Sequence, residues 1–299
     1  MTIPLEIFTP MQAAFFLGLA FILGACVGSF INCMAFRMVY GGSVLKGRSR
    51  CPQCDHTLGV LDLIPIVSWL LLRGRCRYCK AQVSPRYFLV EVCMALLFAA
   101  LVWQFGIGIQ TATYMIRLGI LLGLSLVDLE TLIIPNGFII AGLAIWLVSV
   151  WFMQVPPWGF TVGSMFTLYF GFGFLPVFID GLIGAVVIGG GILLLSLVFD
   201  RITGRRSLGG GDIKLLFMVG LYLGLFGGLF NLLLSCIVGL LFSVLWRALG
   251  SEGAVDSPRG KRAQGQPKPF PFGPSIAAAT VLTLFFGSTC LSWYFGLFL

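Results

Sequence analysis

"LGGGDIKLLFMVGLYLGLFGGLF", residues 208–230, places three glycines and an aspartate directly before a long apolar run. The whole chain of 299 residues is 59% hydrophobic and only 10% charged, whereas soluble domains have about 25% charged residues. A water-soluble fold of this size could not bury so much apolar surface. The sequence therefore predicts an all-α polytopic membrane protein.

A membrane-spanning helix needs roughly 20 apolar residues. The first apolar run has no basic segment before it, so we expect a first span rather than a cleaved signal peptide. Runs of this kind predict about eight transmembrane helices, at 11–36, 87–105, 111–128, 136–154, 180–200, 213–227, 229–247 and 274–297.

The basic residues predict the orientation of these spans. Of the nineteen Lys and Arg, nine lie at 37–86, four at 201–214 and five at 247–268, and such clusters are typical of cytoplasmic loops. All three basic segments lie on the cytoplasmic side only if residues 157–178 do not cross the membrane. We therefore interpret residues 157–178 as an interfacial or re-entrant insertion. Residues 250–269 read as a flexible cytoplasmic loop. The net charge of +8 indicates membrane lipid as a partner and no nucleic acid.

Two CxxC pairs lie in the largest polar loop: Cys51 with Cys54, and Cys76 with Cys79. Four thiolates at this spacing predict a zinc-ribbon-like Zn²⁺ site. Disulfides are disfavoured in a reducing cytoplasm, and an iron–sulfur cluster is the weaker metal alternative. Four cysteines leave no open coordination position, so the zinc is expected to be structural and to supply folding free energy to a small loop.

Two aspartates stand at predicted membrane borders on the cytoplasmic side. Asp128 ends the third span, in "VDLETLIIPN", and Asp212 opens the sixth. Two carboxylates that share a site cannot both ionise readily, so one can take a proton from water while the other polarises a carbonyl group. The neighbouring Gly209, Gly210 and Gly211 would let a substrate backbone approach closely. Alternatively, Asp212 is a helix N-cap and Asp128 a solvated helix end.

An enzyme with a Ser-His-Asp or Cys-His catalytic group is disfavoured, because the single histidine, His56, lies in the cysteine loop. A metalloprotease of the HExxH type is disfavoured because that motif is absent from the sequence. We interpret His56 as a solvated residue rather than a ligand.

Five segments together resemble the bacterial type IV prepilin peptidases, which are bifunctional leader peptidase/N-methyltransferases with a GxGD motif. They occur in the expected order: "GSFINCMAFR" (28–37), the cysteine loop, "DLETLIIPN" (128–136), "GGGDIKLL" (209–216) and "PFGPSIAAA" (271–279). The 157–178 insertion departs from the family pattern.

The resemblance implies cleavage of the leader of a prepilin or pseudopilin after a glycine at the cytoplasmic face. It also implies N-methylation of the new terminus with S-adenosylmethionine (SAM) as the methyl donor. Asp128 and Asp212 match the catalytic aspartates, and the four cysteines match the metal-binding ones. Glu91 and Lys214 fall on family-like positions and are weaker candidates. No SAM-binding motif is readable, so those residues stay unknown.

On this basis the chain divides into a first transmembrane segment (1–38), a cytoplasmic zinc-binding loop with the four cysteines (39–86) and a transmembrane aspartic peptidase core (87–299). The expected location is the bacterial inner membrane, in type IV pilus or type II secretion systems. A peptidase without methylation, a methyltransferase without cleavage, and a membrane transporter with a regulatory zinc loop are the alternatives.

Overall fold

The computed structural model of the protein describes residues 2–43, 47–153, 174–204, 208–248 and 271–297. These residues form two compact units, Met1–Gly119 and Ile120–Leu299. The predicted helical membrane fold is confirmed: within the described ranges, six helices are long and apolar enough to cross a membrane. Most of the predicted 157–178 insertion and all of the predicted 250–269 loop lie outside the described residues.

Two long helices make up most of the first unit. α1 (Pro10–Tyr40) starts with a capping box in which Thr9 and Gln12 exchange hydrogen bonds, and α3 (Pro85–Phe105) starts at the N-cap Ser84. The two helices pack closely because a Cβ at Gly28 would lie only 3.1 Å from the Cβ of Met94. Small residues at such positions let membrane helices approach each other.

Short elements complete the first unit. The two-residue strands β1 (Thr2–Ile3) and β2 (Ile107–Gly108) pair antiparallel. A 3-10 helix (Val60–Asp62) and the five-residue helix α2 (Val67–Leu71) lie in the loop between α1 and α3.

Helix α4 (Ile109–Thr131) continues into the second unit. The helical segments that follow are α5 (Asn136–Ser149), α6 (Leu175–Gly184), a π-helical stretch (Ala185–Gly190), α7 (Gly191–Thr203), α8 (Gly210–Ala248) and α9 (Gly273–Gly296). Segments α6 to α7 form one continuous span, Leu175–Thr203.

Helix α8 is broken at Gly224, whose φ of 69° and ψ of −166° are not helical. The predicted spans 213–227 and 229–247 both fall on this one element. Asp180 is 1% exposed, and its Oδ1 accepts a hydrogen bond of 3.5 Å from the N–H of Leu225, the first residue after the break. The carboxylate therefore caps the second half of α8, where a backbone donor would otherwise lack a partner.

Glycine contacts hold α6 against the first half of α8. A Cβ at Gly184 would lie 2.6 Å from the carbonyl oxygen of Gly220, and a Cβ at Gly220 would lie 2.7 Å from that of Gly184. The two backbones touch directly, which requires residues without side chains.

Candidate active site and metal centre

Asp128 lies in the last turn of α4, within the second unit, and is 4% exposed. Its Oδ2 accepts a hydrogen bond of 3.0 Å from the backbone N–H of Gly273, the first residue of α9. A Cβ at Gly273 would lie 2.7 Å from the same oxygen. The amide at a helix N-terminus favours negative charge on its partner, so Gly273 orients and stabilises the Asp128 carboxylate.

Asp212 lies in the first turn of α8 and is half-buried. Its backbone N–H donates to the carbonyl oxygen of Gly209 at 3.1 Å, and a Cβ at Gly209 would lie 3.0 Å from its Oδ2. A Cβ at Gly211 would lie 3.1 Å from the Cβ of Ile134, whereas a Cβ at Gly210 would meet nothing within 4 Å. Gly209 thus keeps the space beside the Asp212 carboxylate free of a side chain, and Gly211 allows the close approach of Ile134.

The two aspartates lie in the same unit and interact electrostatically. Asp128 is at the end of α4 and Asp212 at the start of α8, two helix ends that are far apart in sequence. An electrostatic interaction between the two carboxylates is what the two-carboxylate hypothesis expects.

Lys214 links α8 to the segment that follows Asp128. Its Nζ donates a 3.0 Å hydrogen bond to the Oδ1 of Asn136, the first residue of α5. The segment between α4 and α5 begins with Leu132, which has a φ of 56°. Lys214 therefore contacts the "IIPN" turn, and its exposed ammonium group lies close to Asp212 in sequence, two residues further along α8.

The four cysteines of the loop come together in the first unit. Their Sγ atoms all lie within 4.8 Å of one another, and the Cys51–Cys79 Sγ–Sγ distance is 3.8 Å. A disulfide would need about 2.05 Å, whereas a tetrahedral zinc with Zn–S bonds of about 2.3 Å needs edges of about 3.8 Å. The donor set therefore fits a structural zinc ion.

The two CxxC turns, Cys51–Cys54 (the first knuckle) and Cys76–Cys79 (the second knuckle), have the same backbone hydrogen bond. The N–H of Cys51 donates to the carbonyl oxygen of His56 at 3.0 Å, and that of Cys76 donates to Ala81 at 2.8 Å. Four residues after these cysteines, Asp55 and Lys80 both have positive φ values, of 52° and 61°. His56 is exposed outside the thiol cluster, with its ring centroid 3.7 Å from that of Tyr78.

One carboxylate connects the second knuckle to the rest of the loop. Asp62 accepts hydrogen bonds from Arg77 at 2.6 Å and from Tyr78 at 3.2 Å. Burial alone would raise the pKa of Asp62, but the Arg77 hydrogen bond and charge bring it below its ordinary value of 3.8.

Burial also acts on Cys51. It raises the thiol pKa, but backbone hydrogen bonds from Gln53 and Cys54 outweigh it and lower the pKa to about 7. A thiolate, the form that binds metal, is thus accessible near neutral pH.

Glu91, on α3, is 7% exposed and accepts a 2.7 Å hydrogen bond from the N–H of Ile66. Ile66 has φ 64° and ψ −56°, and the N–H of Val67 donates to Pro65 across it at 2.6 Å. This is a γ-turn of the rare, strained type, which is unusual for a β-branched residue. The sequence named Glu91 as a weaker candidate at a family-like position, but no sequence signal predicted its hydrogen bond to Ile66.

A helical membrane fold with two interacting aspartates at helix ends is the arrangement expected of an intramembrane aspartic peptidase. Comparison with known families narrows this class. A model of the bacterial peptidase A24 N-terminal domain matches residues 22–105, and a model of the type IV leader peptidase family matches residues 115–244.

Individual relatives support the same family assignment. Prepilin leader peptidase/N-methyltransferases from Aeromonas hydrophila, Stutzerimonas stutzeri and Bacillus subtilis are 33%, 30% and 31% identical to this chain. The matches cover 86%, 97% and 93% of this chain and 78%, 97% and 97% of those proteins. The chain belongs to the type IV leader peptidase family and is an enzyme of that family. No solved structure matches it significantly.

Proposed function

We propose that this protein removes the leader peptide of a type IV prepilin or pseudopilin with Asp128 and Asp212, and then N-methylates the new terminus. The observation that carries the proposal is the electrostatic interaction between the two carboxylates, one at the end of α4 and the other at the start of α8. The names of the relatives support both activities.

The contacts of the two aspartates favour a division of roles. Asp128 accepts the backbone hydrogen bond from Gly273, which stabilises its charged form, so Asp128 is the ionised base. Within the described part of the chain, the Asp212 carboxylate receives no hydrogen bond of this kind and lies beside the charge of Asp128. Asp212 therefore holds the proton and acts as the acid.

Cleavage then follows in two steps. Asp128 takes a proton from a water molecule, whose oxygen attacks the scissile carbonyl carbon while Asp212 gives its proton to the carbonyl oxygen. The tetrahedral intermediate collapses when the C–N bond breaks, the nitrogen takes a proton from the Asp128 carboxyl group and Asp212 recovers its proton from one of the two hydroxyl groups on the carbon. The products are a leader peptide with a free carboxylate and a mature protein with a free amine.

Methylation uses that amine. When bound, SAM supplies an electrophilic methyl group, which the amine takes up with loss of one proton, leaving S-adenosylhomocysteine. Four cysteines whose distances fit tetrahedral zinc support a structural role for Zn²⁺ in the loop between α1 and α3.

We infer that the site faces the cytoplasm of the bacterial inner membrane. The clustering of Lys and Arg at 37–86, 201–214 and 247–268 supports this orientation. The apolar helix of the substrate would pack among the spans while its basic leader stays in water.

The test is to incubate the purified protein in detergent with a prepilin peptide and SAM and to weigh the products. Cleavage with a gain of one methyl group at the new terminus is the expected result. Cleavage without the gain would leave a peptidase only. No cleavage, under conditions in which a known prepilin peptidase cuts the same peptide, would refute the proposal.

A further inference from the structure

The loop between α1 and α3 exposes a run of large apolar side chains that the active site does not use. Val60 is 80% and Leu71 78% exposed. The same run includes five further exposed apolar residues: Leu61, Leu63, Ile64, Val67 and Leu70. A small zinc-stabilised loop in water would not expose such a patch without a partner.

Two contacts place this run beside the membrane-spanning part of α3. Glu91 accepts the N–H of Ile66 at 2.7 Å, and the ring of Trp69 stacks on that of Phe88 with centroids 4.7 Å apart. Glu91 lies six residues into Pro85–Phe105, or about 9 Å along a helix that rises about 1.5 Å per residue. The 21 residues of α3 just span a hydrocarbon core of about 30 Å, so Ile66 lies within the outer third of the core, on the side of the α3 N-terminus.

Glu91 also stabilises the backbone of Ile66 at this depth in the membrane. A backbone N–H within the hydrocarbon needs a partner from the protein because water is scarce there. The buried Glu91 carboxylate supplies one for Ile66, at the strained turn that leads into α2 (Val67–Leu71).

A basic pocket directly follows the apolar run. It has a volume of about 320 Å³ and is lined by Leu72, Arg73, Arg75, Cys76 and Lys80. Among the described residues, the salt bridges of the loop involve Arg50 and Arg77 and none of the three cations of the pocket. The three cations outweigh the net charge of about −2 that a zinc ion with four thiolates places beside them. The pocket thus keeps a net positive charge, which attracts an anion and disfavours SAM, whose sulfonium and ammonium groups are positive.

We propose that residues 60–72 insert into the surface of the lipid bilayer and that Arg73, Arg75 and Lys80 bind the headgroup phosphate of an anionic phospholipid. Exposed apolar side chains next to cations are the pattern of an interfacial segment. The loop is then fixed at two points, by zinc within it and by lipid beneath it.

The apolar part is tested by photo-crosslinking of the full chain in nanodiscs that contain phosphatidylglycerol. p-Benzoylphenylalanine is placed at Leu71 or, as the control, at the exposed polar residue Gln53 of the first knuckle; bound zinc verifies that both variants fold. We expect at least about tenfold more lipid adduct from the Leu71 position. Equal adduct from both positions, or none from Leu71, would overturn the insertion.

The pocket is tested by the rise in melting temperature when phosphatidylglycerol is added to the protein in detergent. We expect the triple variant Arg73→Gln, Arg75→Gln, Lys80→Gln to lose most of the rise seen in wild type. A control that removes three charges elsewhere, Arg48→Gln with Arg201→Gln and Arg247→Gln, should keep it. An equal rise in both variants, or an equal rise with inorganic phosphate in place of lipid, would overturn the phospholipid site.

Discussion

Replacing Gly273 by alanine should slow leader cleavage without unfolding the protein. The added Cβ would lie 2.7 Å from Oδ2 of Asp128, where ordinary van der Waals contacts begin at 3.4 Å. The two atoms must therefore move apart by about 0.7 Å. A movement of that size along the Gly273 N–Oδ2 direction stretches the 3.0 Å hydrogen bond to roughly 3.7 Å, beyond hydrogen-bond range.

The size of the effect follows from the charge on Asp128. Hydrogen bonds to charged groups contribute about 1.5–3 kcal/mol, and each 1.36 kcal/mol in activation free energy is a factor of ten in rate. We expect Gly273→Ala to lower kcat for leader removal roughly 10- to 150-fold. The KM should change much less, because the lost contact acts on the base rather than on the bound peptide.

The assay is the initial rate of leader removal from a prepilin peptide, measured by mass spectrometry with the protein in detergent. Gly191→Ala is the matched control, because a Cβ there meets nothing within 4 Å. Zinc content should stay near wild type in both variants, and Gly273→Ala should remain folded at the assay temperature, with a melting temperature lowered by no more than a few degrees. A Gly273→Ala rate within twofold of wild type would refute the role we assign to this hydrogen bond.

Three further substitutions test other parts of the structure. Cys51→Ser should remove bound zinc and lower the melting temperature; loss of metal with unchanged stability would contradict a structural zinc. Asp62→Asn should destabilise the loop at neutral pH, because the lowered pKa of Asp62 adds stability above 3.8 that is lost as pH falls through the folded-state pKa. The melting-temperature difference from wild type should therefore shrink as the pH falls below 3.8, and a constant difference would argue against the Arg77 pair. Gly224→Ala should lower the melting temperature by several degrees. The φ of 69° at this position strains any residue with a Cβ, and the Cβ would collide with Asp180. A melting temperature equal to that of Gly191→Ala would show that the protein does not require the break in α8.

Much of the helical fold could be predicted from the sequence, because each span must satisfy its own hydrogen bonds and expose apolar side chains to lipid. The predicted spans therefore fall on helices. Composition does not show where a helix breaks, however. The sequence predicted two spans across 213–247, whereas the structure breaks α8 at Gly224 and caps it with Asp180, a residue 45 positions away.

The candidate site was predictable where short motifs carry the chemistry. Two CxxC pairs are sufficient to predict a cluster, and the thiols do come together. Contacts between distant segments leave no local signal. The hydrogen bond from Gly273 to Asp128 joins residues 145 positions apart, and the "PFGPS" segment pointed only to a family, not to this role.

The two-carboxylate mechanism is tested most directly by Asp128→Asn and Asp212→Asn, with Glu130→Gln as the control that removes a half-buried carboxylate two residues from Asp128. Cleavage of a prepilin peptide is measured for each purified variant, together with zinc content and melting temperature. We expect both asparagine variants to lose cleavage by at least about 10³-fold while zinc and fold persist, and Glu130→Gln to retain cleavage. Cleavage at the wild-type rate by either asparagine variant would contradict the mechanism.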